Sequence, residues 1–352
     1  MARGLVGLDI GSSSIKVVSL KKTKKGYELT NFGIAPLPQQ TIVDRTLMNS
    51  GAVVDAIRRL MDSAVISKAK EAAISISGHS VIIKKISLPQ MTKTELENSI
   101  QWEAEQYIPF DINDVHVDAQ ILNPTSTEQG QMDVLLVAAK KGMIFDYNAV
   151  VSEAGLTPIV VDVDAFAVFN AFEANYQVPA TETIAIINVG ASITNIIVVT
   201  NKMCTFTRDI MMGGNQFTEE LQKQLNLSYV EAEDLKLGGD AGVESDSVIP
   251  QEVERVIQES CETLAGEIRR SLEFFGATNQ EGDITKLFLC GGTSKVSSLA
   301  KILEGRTGLS VELFDPFRNI KVNDRVFDIG FIRNEAPKAA VAVRLALRRF
   351  DE

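Results

Sequence analysis

Apolar and polar positions divide the chain into elements before any chemistry is considered. Leu5-Val6-Gly7-Leu8-Asp9-Ile10 runs in, Gly11-Ser12-Ser13-Ser14 interrupts, and Ile15-Lys16-Val17-Val18 runs out. That pattern predicts a β-hairpin over Gly4–Leu20 with a polar tip. Further strands are expected at Tyr27–Ala35, Ala72–Ser77 and Val81–Leu88. The lysine-rich Lys21–Gly26 between the first two reads as a solvated turn. Helical spacing over Gly51–Ser63 places Val53, Val54, Ile57, Leu60 and Met61 on one face.

The pattern changes near residue 87. Thr92–Ile108 reads as a helix, with Thr92 or Thr94 as its cap, Glu95 behind it and Pro109 as its stop. Strands follow at Val115–Leu122 and Met132–Lys140, joined by a polar loop over Asn123–Gln131. A helix over Met143–Ala154 and a strand over Pro158–Asp162 complete an α-β-β-α-β block. Residues 87–160 therefore read as a subdomain inserted into the first fold.

After a helix at Ala165–Tyr176, the text Thr183–Thr200 reads TIAIINVGASITNIIVVT. It repeats the opening: an apolar strand, a glycine-bearing polar tip and an apolar return. Such a long period points to a duplicated domain rather than a solenoid. Helices are expected over 214–278, softened by the Gly/Asp/Ser-rich Gly238–Pro250. A short strand at Leu287–Leu289 enters Cys290-Gly291-Gly292-Thr293-Ser294, and a helix follows over Val296–Thr307. A final helix is expected over 336–349.

Composition narrows the class. The length of 352 residues suits two or three domains, and 45% hydrophobic with 23% charged residues describes an ordinary soluble protein. A net charge of −11 argues against nucleic acid and anionic lipid as partners. Cys204, Cys261 and Cys290 sit in apolar or helical contexts without CxxC spacing and read as reduced, buried thiols. His79 and His116 are the only histidines, which excludes a His-rich metal site. The amino terminus lacks a signal-type apolar region. No stretch of about 18 uncharged apolar residues is present, so a cytoplasmic protein is expected.

The two tips carry the chemistry. Glycine and serines present amides and hydroxyls, Lys16 adds a positive charge and Asp9 a negative one. The mix suits a phosphate with its hydrated magnesium, and on the first stretch alone it equally suits a plain soluble turn.

Three elements in order, Asp9-Ile-Gly-Ser, Asn188-Val-Gly-Ala and Leu289-Cys-Gly-Gly-Thr-Ser, resemble the actin, sugar-kinase and Hsp70 ATPase superfamily. The resemblance implies an α/β actin-like fold of two lobes with ATP and Mg2+ between them. The inserted block sits where the cell-division protein FtsA carries its subdomain 1C. Trp102-Glu-Ala-Glu-Gln-Tyr-Ile-Pro-Phe110, GLDIGSSSIKVV, Gly155-Leu-Thr-Pro-Ile-Val-Val-Asp-Val-Asp-Ala-Phe-Ala and AAVAVRLALRRF are similar to the PilM family of type IV pilus assembly proteins. That similarity spans essentially the whole chain.

The resemblance implies residues 1–86, 161–182 and 336–352 for the first lobe and 87–160 for subdomain 1C. Residues 183–213 and 284–335 then form the second lobe and 214–283 its subdomain 2B. It also implies roles. Asp9 orients water on the magnesium, while Gly11, Ser12, Ser13, Ser14 and Lys16 hold phosphate. Gly190, Ala191 and Ser192, with Thr194 as an option, form the second loop. Asn188, with Asp9, would hold magnesium through water; it stands where relatives carry aspartate, and because its amide can hydrogen-bond a metal-bound water but brings no charge, fast hydrolysis is in doubt. Asp164, or less well Asp162, is placed to position the attacking water; either also reads as a helix N-cap. Gly213, Gly214, Glu267, Arg270, Gly291, Gly292, Thr293 and Ser294 are expected around the nucleoside, with a surface ion pair as the other reading of Glu267 and Arg270. Trp102, Tyr107 and Phe110 read as core of the insert or as a partner groove.

In this family the region receives a cytoplasmic amino-terminal peptide of the inner-membrane protein PilN. The implied role is pilus assembly and twitching motility beneath the inner membrane, in an oligomer or ring with other platform proteins and assembly ATPases. An FtsA-like division protein, a small-molecule kinase and a secretion-system platform protein remain alternatives. The final helix, with Arg344, Arg348 and Arg349, reads as core-packed rather than membrane-binding.

Overall fold

A computed structural model describes residues 4–62, 69–123, 130–238, 248–278 and 282–348. Strands β1 (Gly4–Ile10), β2 (Ser14–Thr23) and β3 (Gly26–Pro36) form an antiparallel meander. A small hairpin, β4 (Ile42–Val43) and β5 (Thr46–Leu47), precedes α1 (Ser50–Met61) and β6 (Ala69–Ile76). Then come β7 (Val81–Pro89), α2 (Lys93–Glu105), β8 (Val115–Asn123), β9 (Gln131–Lys140), α3 (Lys141–Glu153), β10 (Thr157–Val163) and α4 (Asp164–Asn175).

The second half opens with another meander, β11 (Thr183–Val189), β12 (Thr194–Thr200) and β13 (Met203–Ile210). Helices α5 (Gly214–Leu225), α6 (Tyr229–Lys236) and α7 (Val248–Thr278) follow, then β14 (Ile284–Cys290), α8 (Ser297–Thr307) and β15 (Ser310–Leu313). The described chain closes with β16 (Ile320–Lys321), α9 (Ile329–Glu335) and α10 (Ala340–Leu347).

The two main sheets repeat one topology. Read outward from the meander, one is β3-β2-β1-β6-β10 and the other β13-β12-β11-β14-β15, with β16 added at the free edge of β3. In both, the meander is antiparallel and the last two strands run parallel to the first. The two apolar–polar–apolar stretches read from the sequence are the first two strands of each meander. β13, β15, β16 and α9 carry no comparably strong pattern and were not expected.

The layers follow from which face each strand buries. Val6, Leu8, Ile10 and Ile74 face α1 and α3, whereas Leu5 and Ala73 face α4 and α10. On the second sheet Ile184, Ile186 and Ile197 face the same α4 and α10, while Ile187, Ile196 and Leu289 face α7 and α8. Strands covered on both faces read as continuous apolar runs, as TIAIINV does. One pair of helices thus serves both sheets. α10 is buried along its length apart from Arg344, so the last helix packs as core, preceded by a 3-10 turn at Ala336–Ala339.

The separate three-stranded sheet, β7-β9-β8 with α2 across it, differs from the expected block at 87–160: β7 joins it, whereas α3 packs on the core of the first sheet and β10 is that sheet's edge strand. Thr92 caps α2 and Glu95 closes the capping box. Trp102 corrects the core reading: it is 76% exposed, because α2 turns only Leu96, Ile100 and Ala104 inward. Tyr107 and Phe110 are partly buried against the insert core. Residues 124–129 of the polar loop, 239–247 of the soft break, Ser63 and Arg349 lie outside the described residues.

Gly7 sets how closely α10 lies on β1: a Cβ there would stand 2.2 Å from the carbonyl of Ala342. Gly7→Ala is expected to cost about 3 kcal/mol, since backbone cannot yield as a side chain does. Gly266→Ala, inside α7 with nothing within 4 Å of the new Cβ, is expected to gain about 1 kcal/mol from helix propensity. Urea unfolding midpoints check both signs.

Candidate functional site

The two hairpin tips face each other across a cleft between the sheets, lined by Asp9, Gly11, Lys16, Asn188, Gly190 and Ser192 among others. In the first tip Asp9 and Lys16 are cross-strand partners, which sets their side chains together: Lys16 Nζ lies 3.3 Å from Asp9 Oδ2 and donates to the Ser14 carbonyl at 3.2 Å. Asp9 is 8% exposed. Burial pushes its pKa up, and Lys16 pulls against that. The turn closes through the Gly11 amide, which donates to the Ser14 carbonyl.

The second tip is held from behind. Gly214 N and Asn215 N donate to the carbonyls of Gly190 and Ala191 at 2.9 and 2.7 Å, and Thr293 Oγ1 donates to Gly190 O at 2.8 Å. A Cβ on Gly213 would meet Gly190 O at 2.5 Å, so the approach requires glycine. Gly291 has φ +89, donates to Pro337 O at 2.8 Å, and its Cβ would meet Val189 O at 2.3 Å. Lys338 packs over Gly292 and shares Glu335 with Lys295, at 2.7 and 2.8 Å. Burial alone would raise the Glu335 pKa, but the two lysines hold it below the ordinary 4.5.

At the other end Asp164 is fully engaged. Arg45 Nη2 donates to its Oδ2 at 2.8 Å and Ser75 Oγ to its Oδ1 at 2.5 Å. Asp164 is the first residue of α4, and the cap position belongs to Val163 without a side-chain bond, so neither aspartate is the N-cap. Asp162 instead accepts from Val163 N at 2.8 Å and pairs with Arg348 at 3.0 Å. A buried amide relay crosses the cleft: Asn188 donates to Asn195, Asn195 to Asp209, and Asp209 accepts from Gly78 N, each at 2.8 Å. Thr194 is turned from the cleft and donates to Met212 O at 2.9 Å.

Of the residues expected around a nucleoside, Gly291 and Gly292 line the cleft, while Gly213, Gly214 and Thr293 support the second tip. Ser294 is buried and donates to Gly291 O. Glu267 and Arg270 are not brought there: they pair with each other on the exposed side of α7. An i, i+3 pair that lies closer, behind Gly214 and the second tip, is Glu233 and Lys236 on α6. Lys236 is 7% exposed and donates to Gly214 O at 3.2 Å and to Thr218 at 2.9 Å. Burial lowers its pKa, and Glu233 opposes the shift. The Glu-x-x-Lys spacing was legible; what separated it from Glu267-x-x-Arg270 was burial. Arg45, Ser77, Asn195 and Lys338 also line the cleft and were missed.

A second feature is a groove of about 640 Å³ between edge strand β8 and α4, continuing to Lys202 and Met203 and to Arg344 and Arg348 at the carboxyl end of α10. Its walls mix Phe166 and Phe169 with Asp162, Glu173 and those cations. The three cysteines are free and buried, and burial pushes the thiol of Cys204 up to about 12 and that of Cys261 to about 11. Among the described residues no helix is long and apolar enough to cross a membrane.

Two duplicated sheets around a loop-lined cleft define the actin-like, two-lobed ATPase fold, and solved structures of that fold superpose on it. MreB5 of Spiroplasma citri bound to AMPPNP is 13% identical with TM-score 0.52, covering 100% of this chain and 96% of that one. EutJ of Carboxydothermus hydrogenoformans is 14% identical with TM-score 0.58, covering 97% and 88%. The cell division protein FtsA of Streptococcus pneumoniae is 22% identical, over 88% of this chain and 75% of its own length. Residues 7–350 match the family model of the type IV pilus assembly protein PilM. The chain belongs to that family. A chain of the PilM-PilN type IV pilus biogenesis complex is 27% identical with TM-score 0.87, each covered to 99%.

The Glu335 cluster titrates in a predictable direction. Its folded pKa lies below 4.5, so its contribution is present above that pH and lost as pH falls through the folded value. Glu335→Gln is expected to cost on the order of 1–2 kcal/mol at pH 7. The gap to wild type should close as the medium is acidified, which thermal melts at stepped pH follow.

Proposed function

We propose that this chain binds ATP between its lobes and serves in the type IV pilus assembly platform at the inner membrane, held there by a PilN partner. The observation that carries the reading is the pair of hairpin tips facing one cleft, each built around glycine and backed by hydrogen bonds that fix its backbone. In this reading Gly11, Ser12, Ser13 and Ser14 take phosphate oxygens, with Lys16 as a point charge. Gly190, Ala191 and Ser192 close from the other side. Gly213, Gly214, Gly291, Gly292, Thr293 and Ser294 border the nucleoside, and Glu233 with Lys236 takes the place first given to Glu267 and Arg270. The lobes follow the divisions drawn from the resemblance with two shifts: the insert runs from β7 to β9, since α3 and β10 belong to the first lobe, and β16 and α9 also pack on the first lobe; 214–283 stands as subdomain 2B.

The donors present fit a magnesium ion held through water. Asp9 supplies one carboxylate and the phosphates supply the remaining anionic oxygens, which is how this ion is usually bound. Asn188 lends no charge; its amide nitrogen donates to Asn195, which leaves its Oδ1 to accept a hydrogen bond from a metal-bound water. Asp164 has both oxygens engaged by Arg45 and Ser75, so it is not free to polarise water. Slow or absent hydrolysis follows, and the nucleotide then acts chiefly as a clamp between lobes.

The groove beside β8 is our site for the amino-terminal peptide of PilN. An edge strand offers unpaired backbone groups to an added strand, and the aromatic and charged walls supply pockets for alternate side chains. Other platform proteins, assembly ATPases and a ring of copies complete the proposed setting, on the cytoplasmic side.

Magnesium and radiolabelled ATP followed through a single turnover test the reading. Wild type should retain ATP, largely uncleaved, through gel filtration. Lys16→Ala should weaken binding roughly tenfold or more. Failure of wild type to retain nucleotide overturns the ATP reading; prompt conversion to ADP overturns the clamp.

A further inference from the structure

Two buried donors in the cleft have no partner among the described residues: Arg45 Nε and Ser77 Oγ. Arg45 is 6% and Ser77 1% exposed, and both line the cleft. Arg45 spends one nitrogen on Asp164 at 2.8 Å and another on the Ile10 carbonyl at a long 3.4 Å. A buried guanidinium N–H and a buried hydroxyl left without acceptors are costly and uncommon in folded proteins. An anion arriving in the cleft would satisfy both.

The cleft has a direction. One end holds Gly291, Gly292 and Lys338, with Gly214, Thr293 and Lys236 behind, where absent side chains let a flat ring approach the backbone. The other end is closed by Gly78, whose amide donates to Asp209 and whose Cβ would lie 3.2 Å from both Arg45 Cγ and Ile193 Cδ1. Arg45 and Ser77 belong to that end. A nucleotide with its nucleoside at the glycine end directs its phosphate chain toward them, past Lys16.

We propose that Arg45 and Ser77 seat the terminal phosphate and make the cleft selective for ATP over ADP. The inference rests on the ATP reading above. A diphosphate ends short of this seat and leaves both donors unpaired; the third phosphate reaches them. Arginine suits the position because its planar fork can give Nε–H to phosphate while Nη2 stays on Asp164. Its placement is fixed beforehand. The backbone of Arg45 is left-handed at φ +66, Tyr147 OH donates to its carbonyl at 3.2 Å, and the Tyr147 ring lies 6.0 Å from the guanidinium carbon. Such pre-organisation spares the ordering cost of capturing the ligand.

Calorimetric titration of the full, nucleotide-free chain with Mg-ATP and with Mg-ADP tests the proposal in wild type, Arg45→Lys and Ser77→Ala. Lysine keeps a cation beside Asp164 and alanine removes only a hydroxyl, so the paired nucleotides on one protein separate binding from folding. Each variant should lose roughly tenfold or more in ATP affinity while ADP affinity stays within about twofold. Equal loss for both nucleotides, no loss for either, or wild type that does not prefer ATP overturns the proposal while leaving nucleotide binding intact. Wild type that binds neither nucleotide removes the ATP reading and this inference with it.

Discussion

One shared layer positions everything in the cleft. Helices α4 and α10 lie between the two sheets, touching β1 and β6 on one side and β11 and β12 on the other. Apolar strands on both sides bury against them, so the hydrophobic effect that folds each lobe also draws the lobes together. The tips of both meanders then have to project toward the same space. Small residues make the layer thin enough: Gly7 under α10, the alanines of both helices, and Gly291 against Val189. A bulkier residue at Gly7 or Gly291 would push a helix or a loop outward and misplace the cleft-lining tips some distance away.

Within that apolar frame three buried carboxylates each have a cation of their own. Asp9 has Lys16, Asp164 has Arg45, and Glu335 has Lys295 and Lys338. Pairing offsets much of the desolvation cost, and removing one partner strands the other. The consequence for chemistry differs by site. In the proposed reading Lys16 stands where a polyphosphate would meet it. Asp164, by contrast, is held by two donors at once, and the amides of Asn188 and Asn195, which end on Asp209, bring no charge of their own. The arrangement favours holding a nucleotide over activating water, which is why clamp and slow hydrolysis belong to one reading.

The sequence exposed the parts whose signal is local. Both hairpins, the capping box at Thr92 and Glu95, the Gly-Gly turns and the inserted block can be read from periodicity and turn residues. What it concealed depends on the third dimension. Arg45 sits in a two-residue turn of no distinctive composition, and only the fold carries it 119 residues along the chain to Asp164. Glu233-x-x-Lys236 and Glu267-x-x-Arg270 have the same spacing, yet one is buried against Gly214 and the other is solvated. Trp102 was misjudged for the same reason: a short amphipathic helix does not announce which flank its one tryptophan takes, and α2 turns it outward.

The same two helices also bring the cleft and the groove into one mechanical unit. α4 begins at Asp164 in the cleft and presents Phe166, Phe169 and Glu173 to the groove. α10 has Ala340 and Val341 at the cleft, and Arg344 and Arg348 at the groove, where Arg348 pairs with Asp162. A close-packed helix moves as a rigid body rather than bending to suit one end. In the proposed reading, closure of the lobes on a nucleotide would shift the groove walls, and a peptide wedged beside β8 would resist or favour that shift. Binding at the two proposed sites would then be linked, with equal effect in each direction. In this arrangement no signal has to be relayed from residue to residue, because each helix belongs to both sites.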